Sequence, residues 1–373
     1  MEWLSAFGEN VQKASDHLLS KKPPEPKGLF AFITPRIDPH EARLHLMRAF
    51  PGVPLIGCSA TGTFTDEALC GAEVSLALVT GNDTAMRTGL TQEGDTDPVV
   101  GLEGIRYQLR RKGAPSIEPR AAVILADGFT KKGSDLALTA SEIFGIPVAG
   151  GLAGDILTMP KTYVFTEDGL ASTAFAMAIV YTEGPVGIGL EHGHKPVSPP
   201  LIITRASENT VYEISHKPAI QAWEKLGLPK GVHLEEQTRF LMRYELGLQV
   251  GTRYMVRFPT RINPDGSVSF LTDIPENTPC RILDAEKDRQ IEAASSSARQ
   301  ALERLGGRPA GALVFDCAVR LLSLGDDFRK AVERIRDSLQ APFVGFESSG
   351  EIAMLPEDSE GFHNTTTVTL AFS

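Results

Sequence analysis

Cysteine is scarce in this sequence, and long hydrophobic runs and a surplus of positive charge are missing. The four cysteines, Cys58, Cys70, Cys280 and Cys317, form no Cys-x-x-Cys pair, which argues against a disulfide framework and a zinc ribbon. No stretch of about 18 apolar residues is present, and no basic segment followed by an apolar run opens the chain, so neither a transmembrane helix nor a signal peptide is expected. The sequence therefore predicts a cytoplasmic protein without a membrane partner.

The charge balance disfavours nucleic acid as a partner. The 373 residues include 47 acidic and 37 basic ones, for a net charge of -10, which repels phosphate backbones unless basic residues form a patch. The densest basic clusters, Lys131-Lys132 and Arg110-Arg111-Lys112, are short and typical of solvated surface. With 42% hydrophobic residues the chain is expected to be globular, and its length suggests two domains.

An internal repeat is the main indication of the fold. Three segments each read as a strand, a helix, a strand that enters a glycine turn, and a closing strand; they are residues 28–80, 121–181 and 311–372. The loop from Pro54 to Gly62 aligns without a gap with the loop from Pro342 to Gly350. We therefore predict an α/β protein of layered mixed sheets with helices, built from repeated β-α-β-β units in two domains.

A change in composition marks the predicted domain boundary. Glycines and prolines crowd between Gly184 and Pro200, which is typical of a turn-rich connection. We place the boundary there, so that the domains are residues 1–195 and 196–373. Beyond it, Tyr254 to Phe258 and Ser267 to Leu271 flank the turn sequence Asn263-Pro-Asp-Gly266, which predicts a β-hairpin between these two strands.

The glycine loops lack a catalytic signature. Gly57 to Gly62 and Gly345 to Gly350 have the glycines of a P-loop, but Thr63 and Glu351 follow where a lysine is required. The second glycine also comes one residue too late after Ser59 for the nucleophile elbow of a hydrolase. Such loops present backbone N–H groups to which a small polar ligand can bind; alternatively, the glycines only make the turns of the repeated unit.

Other chemically capable residues admit two interpretations each. Cys58 could be a nucleophile beside a distant histidine, or a packed core residue. His192 and His194 are the one local histidine pair and could hold a metal or face solvent, although no third ligand is nearby. Asp316 and Arg320 could hold a carboxylate ligand or form a structural ion pair. We predict no metal site from these patterns.

Motifs spread along almost the whole chain carry a family resemblance. In the first half they are Pro54 to Gly62 and Gly150 to Asp155; in the second half they are Asn209 to Glu213 with Pro218 and Ala219, Tyr254 to Arg257, Phe315 to Cys317 with Arg320, Gly345 to Ile352, and His363 and Asn364 with Thr366. In this order they resemble the FIST family of intracellular signal-transduction proteins, which have an N-terminal and a C-terminal FIST domain. Two departures are Gly62-Thr63-Phe64, where the family often has Gly-Glu-Ile, and His216, where an acidic residue is common.

The resemblance implies a non-enzymatic sensory protein that binds a small ligand, such as an amino acid or related metabolite. Since the chain ends at the C-terminal domain, we expect it to signal through a separate partner, such as a histidine kinase. The residues that we predict to bind the ligand lie in the glycine loops and the C-terminal motifs: Gly57, Ser59, Gly62, Gly150, Gly151, Asp155, Arg257, Asp316, Arg320, Ser349, Gly350, Glu351, His363 and Asn364.

Two alternative functions stay open at this point. A subset of stand-alone FIST proteins is associated with haem and with nitric oxide sensing, so haem is the one cofactor to consider. Its axial ligand would be His192, His194 or His216, since a haem iron needs a histidine in an apolar pocket. The second alternative is a hydrolase that uses Cys58 or Ser59.

Overall fold

The computed structural model describes residues 1–130, 132–154, 161–228, 234–355 and 358–373. Asp155, a predicted ligand residue, and Lys131, in one of the basic clusters, lie outside the described residues. The strands in chain order are β1 (Glu2–Gly8), β2 (Pro26–Ile33), β3 (Leu55–Ser59), β4 (Thr63–Thr65), β5 (Val74–Thr80), β6 (Thr84–Leu90), β7 (Pro119–Ala126), β8 (Val148–Leu152), β9 (Val164–Thr166), β10 (Leu170–Ala171), β11 (Phe175–Thr182), β12 (Val186–Glu191), β13 (Lys195–Pro196), β14 (Leu201–Ser207), β15 (Thr210–Ile214), β16 (Lys217–Pro218), β17 (Tyr244–Val250), β18 (Arg253–Arg257), β19 (Pro259–Ile262), β20 (Val268–Phe270), β21 (Pro279–Asp284), β22 (Gly311–Cys317), β23 (Phe343–Ser348), β24 (Glu351–Met354), β25 (Phe362–His363) and β26 (Thr367–Phe372). The α-helices are α1 (Val11–Ser20), α2 (Pro39–Ala49), α3 (Pro98–Arg111), α4 (Gly133–Phe144), α5 (Gln221–Glu224), α6 (Leu234–Arg243), α7 (Lys287–Leu305), α8 (Ala318–Leu324) and α9 (Phe328–Leu339).

Three sheets share one strand order. The first is β1-β5-β2-β3-β9-β10, the second is β6-β11-β7-β8-β24-β25, and the third is β12-β26-β22-β23-β4. In each sheet the central pair is parallel, as β2 and β3 are. The first member of that pair also pairs with an antiparallel strand on its other side, as β2 does with β5. The predicted α/β class with mixed sheets is confirmed. The unit that recurs is larger than β-α-β-β, because a strand and a helix precede each copy: β1 and α1, β6 and α3, β12 and α7.

One strand of each repeat pairs with the sheet of another repeat. β4 of the first repeat pairs with β23, β9 of the second pairs with β3, and β24 of the third pairs with β8. The exchange is cyclic, so main-chain hydrogen bonds join all three sheets. Some of these bonds connect strands on either side of the boundary at residues 195 and 196, and the division into two domains stays a prediction.

A glycine stands directly opposite each exchanged strand. Gly57, Gly150 and Gly345 stand directly opposite an exchanged residue, which is Phe165, Ile352 or Phe64 respectively. A Cβ atom on any of the three glycines would overlap the carbonyl oxygen of the residue beside it on the parallel strand: Ala31, Ile124 or Val314. Packing therefore explains these glycines, and ligand binding by Gly57 and Gly150 stays a prediction.

The three sheets enclose a common hydrophobic core with helices outside it. Phe32 of the first sheet contacts Phe346 of the third with ring centroids 4.6 Å apart, and Trp3 stacks on Phe372 at 5.0 Å. The outer faces pack against α1 and α2, against α3 and α4, and against α7, α8 and α9. Among the described residues no helix is long and apolar enough to span a membrane.

Residues 195–284, called the insert from here on, form a fourth sheet inside the third repeat. Its strand order is β18-β17-β21-β14-β15-β20-β19, with β13 on β21 and β16 on β15. The insert has its own core around Trp223, whose Nε1–H donates a hydrogen bond to the main-chain oxygen of Tyr244 at 2.7 Å. In the first two repeats only residues 9–10 and 91–97 join the corresponding strand and helix, so the third repeat alone carries a second sheet beside it.

The hairpin predicted within the insert has a different first strand. The turn Asn263-Pro-Asp-Gly266 joins β19 to β20, with Ile262 opposite Val268, whereas β18, which contains Tyr254, pairs with β17. Pro259 is the reason, because a proline has no N–H for a strand interior and starts a new strand after Phe258. The predicted pairing of Tyr254 to Phe258 with Ser267 to Leu271 is therefore wrong.

Candidate functional site

A buried polar cluster lies where the insert meets the third repeat. Residues 362–367 run through it, and all of them are at least nine-tenths buried. This segment makes hydrogen bonds to four charged or acidic side chains on four other strands: the Phe362 oxygen accepts from Arg257 Nη1 at 3.2 Å, Thr365 Oγ1 donates to Glu245 Oε2 at 2.7 Å, the Thr366 N–H donates to Glu351 Oε2 at 3.2 Å, and Thr367 Oγ1 donates to Asp316 Oδ2 at 2.8 Å.

Asp316 and Arg320 form a fully buried ion pair. Arg320 Nε donates to Asp316 Oδ1 at 2.7 Å, and Arg320 Nη2 donates to the Gln290 main-chain oxygen at 3.0 Å. Arg320 Nη1 has no hydrogen-bond partner. Burial raises the pKa of Asp316, and the nearby Arg320 charge offsets only part of that rise. The structural ion pair considered from the sequence is present, and one N–H edge of the arginine is left over.

Glu351 supplies a fully buried carboxyl group to the cluster. It accepts a hydrogen bond from Ser348 Oγ at 2.6 Å and stands opposite His363 in the β24–β25 pair. Burial raises its pKa well above the ordinary value, and Asp316 adds to the rise. Burial therefore favours the neutral form of this acid, and both of its oxygens accept hydrogen bonds, from Ser348 Oγ and from the Thr366 N–H.

Glu245 and His194 face each other inside the cluster. His194 Nδ1 lies 2.9 Å from the His192 carbonyl oxygen, which can only accept, so Nδ1 carries the proton. His194 Nε2 lies 3.4 Å from Glu245 Oε1, and both side chains are fully buried. Neither atom has a hydrogen-bond partner.

Arg257 is a buried cation without an acidic partner. It is 3% exposed, and its Nη1 donates to the carbonyl oxygens of Val256 and Phe362 at 3.0 and 3.2 Å. No carboxylate of the described residues lies within 4.0 Å of its guanidinium, and Nε has no hydrogen-bond partner. Burial lowers its pKa to about 10, so the side chain is still charged at neutral pH.

Two neutral histidines complete the cluster. Burial lowers the pKa of His192 to about 3, with His194 and His363 as further causes. Burial and the Arg257 charge lower the pKa of His363 to about 4. Both imidazoles are therefore uncharged at neutral pH, and they occupy the interior beside the two arginines as polar groups without charge.

Five buried atoms in this region lack partners among the described residues. Two are donors, Arg257 Nε and Arg320 Nη1, and three can accept, Glu245 Oε1, His194 Nε2 and Asn364 Oδ1. Buried polar groups are nearly always paired, because an unpaired one costs about 1–3 kcal/mol. Of the predicted ligand residues, the structure brings Arg257, Asp316, Arg320, Glu351, His363 and Asn364 together here.

The glycine loops meet one another around Glu347. The Thr61 N–H donates to the Glu347 main-chain oxygen at 3.2 Å, the Gly154 N–H donates to the Ser59 oxygen at 3.0 Å, and the Ser349 N–H donates to the Leu152 oxygen at 3.1 Å. A Cβ atom on Gly62 would overlap the Glu347 carboxylate. The loops that contain Ser59, Gly62, Gly151, Ser349 and Gly350 therefore pack against each other, and their use in ligand binding stays a prediction.

Glu347→Gln is expected to flatten the pH dependence of stability. Burial raises the pKa of Glu347 to about 8, and the Asp316 charge adds to it. The folded chain thus holds a proton that the unfolded chain releases, so stability falls as pH rises from about 4.5 toward 8. Between pH 5 and pH 7 the amide variant should gain about 2 kcal/mol over wild type in denaturant titrations. Equal slopes for both proteins would contradict a buried acid, and the exposed Glu303→Gln is the control.

The haem candidates do not fit an axial ligand. The His192 ring accepts the main-chain N–H of His194 at 2.9 Å and is also engaged by the backbone at Tyr254. The free nitrogen of His194 faces the Glu245 carboxyl, and His216 is exposed on a turn with φ of 60°. An iron needs an unengaged nitrogen in an apolar pocket, which none of these three histidines offers.

The two hydrolase candidates are each engaged in the fold. Cys58 is fully buried in the common core, and burial raises its pKa well above the ordinary value, so the reactive thiolate is disfavoured. Ser59 Oγ accepts the main-chain N–H of Tyr163 at 3.0 Å. Among the described residues no group of three His, Cys, Asp or Glu side chains could hold a metal ion.

Enclosed polar groups without partners, held at the junction of two sheets, are typical of a ligand-binding protein. The chain belongs to the FIST family: the model of the FIST N domain matches residues 28–217, and the model of the FIST C domain matches residues 219–354. FIST domains are associated with the sensing of small ligands in signal transduction. A comparison with curated proteins gave no match.

The sequence did not point to every member of the cluster. Glu245 is a single acid at the start of β17, and Gln290 is a polar residue on the buried face of α7. For His194 the sequence indicates only a metal or haem ligand. Their one local signal is a polar residue at an otherwise buried position, which the sequence alone cannot separate from a surface residue.

Proposed function

We propose that this protein is a sensor that binds a small polar ligand in the buried cluster between the insert and the third repeat. The observation that carries the proposal is the set of five buried atoms that have no hydrogen-bond partner among the described residues. Two donors on arginines and three acceptors on Glu245, His194 and Asn364 suit a ligand with both an anionic and a cationic group. A free amino acid, or a metabolite of the same kind, has this pairing of groups.

The insert is the element that would report occupancy. Thr365 and Glu245, and Phe362 and Arg257, are hydrogen-bonded across the junction. The atoms of the cluster are buried, so we expect a ligand to enter when this junction opens, and its contacts then to bias the position of the insert. A separate partner, such as a histidine kinase, would read that position.

A surface cleft of about 690 Å³ lies beside the junction. It is lined by Arg243, Lys287 and Ser323, and Ser323 Oγ donates to Gln290 Oε1 at 3.1 Å. Since the Gln290 main chain holds Arg320, the cleft is one residue away from the cluster and offers a route of entry. A different cleft in the second repeat is lined by Asp127 and Thr130, but Asp127 already accepts a hydrogen bond from Thr162.

A thermal-unfolding screen against free amino acids and related metabolites tests this function. A ligand at 100 times its Kd stabilises the folded chain by about 2.7 kcal/mol, so a hit should raise the unfolding midpoint of wild type clearly. Glu245→Gln should strongly weaken the response, because the amide keeps one acceptor oxygen but removes the carboxylate that would meet a cationic group of the ligand. Glu303→Gln changes an exposed glutamate on α7 and should leave the response intact.

The same hit also tests the relay. Small-angle scattering of wild type should change at saturation if the insert moves, and the Glu245→Gln profile should not. A screen without any hit, or a hit that both variants retain, would count against a sensor site in this cluster.

A further inference from the structure

The two buried arginines of the cluster differ in how their charge is matched. Arg320 has Asp316 at 2.7 Å, so its charge is neutralised within the fold. Arg257 has main-chain oxygens on Nη1 and no carboxylate within 4.0 Å among the described residues. The exposed Glu360 attracts it only from a distance. A buried charge without a partner costs several kcal/mol, so within the described part of the chain Arg257 is a position that lacks a negative group.

The unused edge of Arg257 has a defined shape. In a guanidinium group the Nε–H and one Nη2–H point to the same side; the hydrogen bonds that Arg257 donates to the described residues come from Nη1, and its Nε is buried without a partner among them. Two parallel N–H groups in one plane match the two oxygens of a carboxylate. A phosphate would bring close to two negative charges to a single unmatched positive one, which leaves a buried charge uncompensated.

We propose that Arg257 binds the carboxylate group of the ligand through its Nε–Nη2 edge, while Arg320 holds Asp316 and supports the site. This proposal rests on the proposed function, and it names the chemical group by which that site selects its ligand. The sequence predicts that both arginines bind the ligand. In this proposal the ion-paired Arg320 is the positioning residue, and Arg257 makes the charged contact.

Acetate, with acetamide as its neutral counterpart, tests the proposal without knowledge of the natural ligand. At constant ionic strength, wild type should show a saturable rise of its unfolding midpoint with acetate and none with acetamide. Arg257→Met should weaken the acetate response at least tenfold, and Arg257→Lys, which keeps the charge but loses the two-pronged edge, should retain part of it. Arg253→Met, an exposed arginine on the same strand, should respond as wild type does.

Each outcome decides the matter. No saturable acetate effect on wild type, or an equal effect on Arg257→Met, overturns the proposal. If Arg257→Met does not fold, an Arg257→Lys response equal to that of wild type overturns it instead. A metabolite hit without acetate binding removes the carboxylate contact and leaves the sensor function standing. Acetate binding at Arg257 without any metabolite hit leaves the contact standing and counts against amino acids as the ligand.

Discussion

Gly150→Ala is expected to destabilise the protein by about 3 kcal/mol, near the upper end of the cost of overpacking a core. The new methyl group would overlap the main-chain oxygen of Ile124 on the neighbouring parallel strand. Backbone atoms in the middle of a sheet cannot move aside as a flexible side chain can. β7 and β8 would have to separate, and β24, which pairs with β8 from the third repeat, would be displaced with them. Equilibrium unfolding in urea measures the change.

Gly104→Ala is the matched control for this prediction. Gly104 lies inside α3, and a Cβ atom there would meet nothing within 4 Å. An alanine in a helix interior is favoured over glycine by about 0.5–1 kcal/mol, so this variant should be slightly more stable than wild type. If Gly150→Ala and Gly104→Ala both had the stability of wild type, strand packing would not explain the glycine at position 150 of β8.

The repeat could be predicted because each copy meets the same burial problem. Gly57 and Gly345 align without a gap in the sequence, and the structure places both beside an exchanged strand for one steric reason. The exchange itself could not be predicted. An alternating or continuous apolar pattern states which residues are buried, but not which strand they pair with. β4 and β9 are also only three residues long.

The site could be predicted only in part, for a related reason. Asp316 and Arg320 are four residues apart, and the structure joins them. Their neighbours Glu245 and Gln290 come from the insert and from α7, and no spacing in the sequence relates these residues to the pair. Long-range contacts of this kind depend on how the fourth sheet docks on the third repeat, which local patterns do not encode.

Asp316→Asn is expected to be the most destabilising of these changes, at about 3–5 kcal/mol, because it leaves the Arg320 charge buried without a counter-charge. Both side chains have no solvent exposure, so water cannot replace the lost carboxylate. The amide also cannot accept from Thr367 and Arg320 with both of its terminal atoms. Guanidinium titration against wild type measures the loss.

A pair with the same spacing on the surface is the control. Arg329 and Glu333 are also four residues apart, Arg329 is exposed and Glu333 is half-buried, so water reaches the pair and Glu333→Gln should cost less than about 1 kcal/mol. A similar loss for both variants would mean that burial of the Asp316–Arg320 pair does not matter.

The double variant Asp316→Leu with Arg320→Met separates stability from function. Replacing both members of a buried ion pair with apolar residues is often neutral or stabilising, so most of the stability lost in Asp316→Asn should return. The double variant also removes Arg320 Nη1, one of the two unpartnered donors of the cluster. If stability returns while the metabolite response is lost, the ion pair is needed for ligand binding and not for folding, because two hydrophobic residues then stabilise the fold equally well.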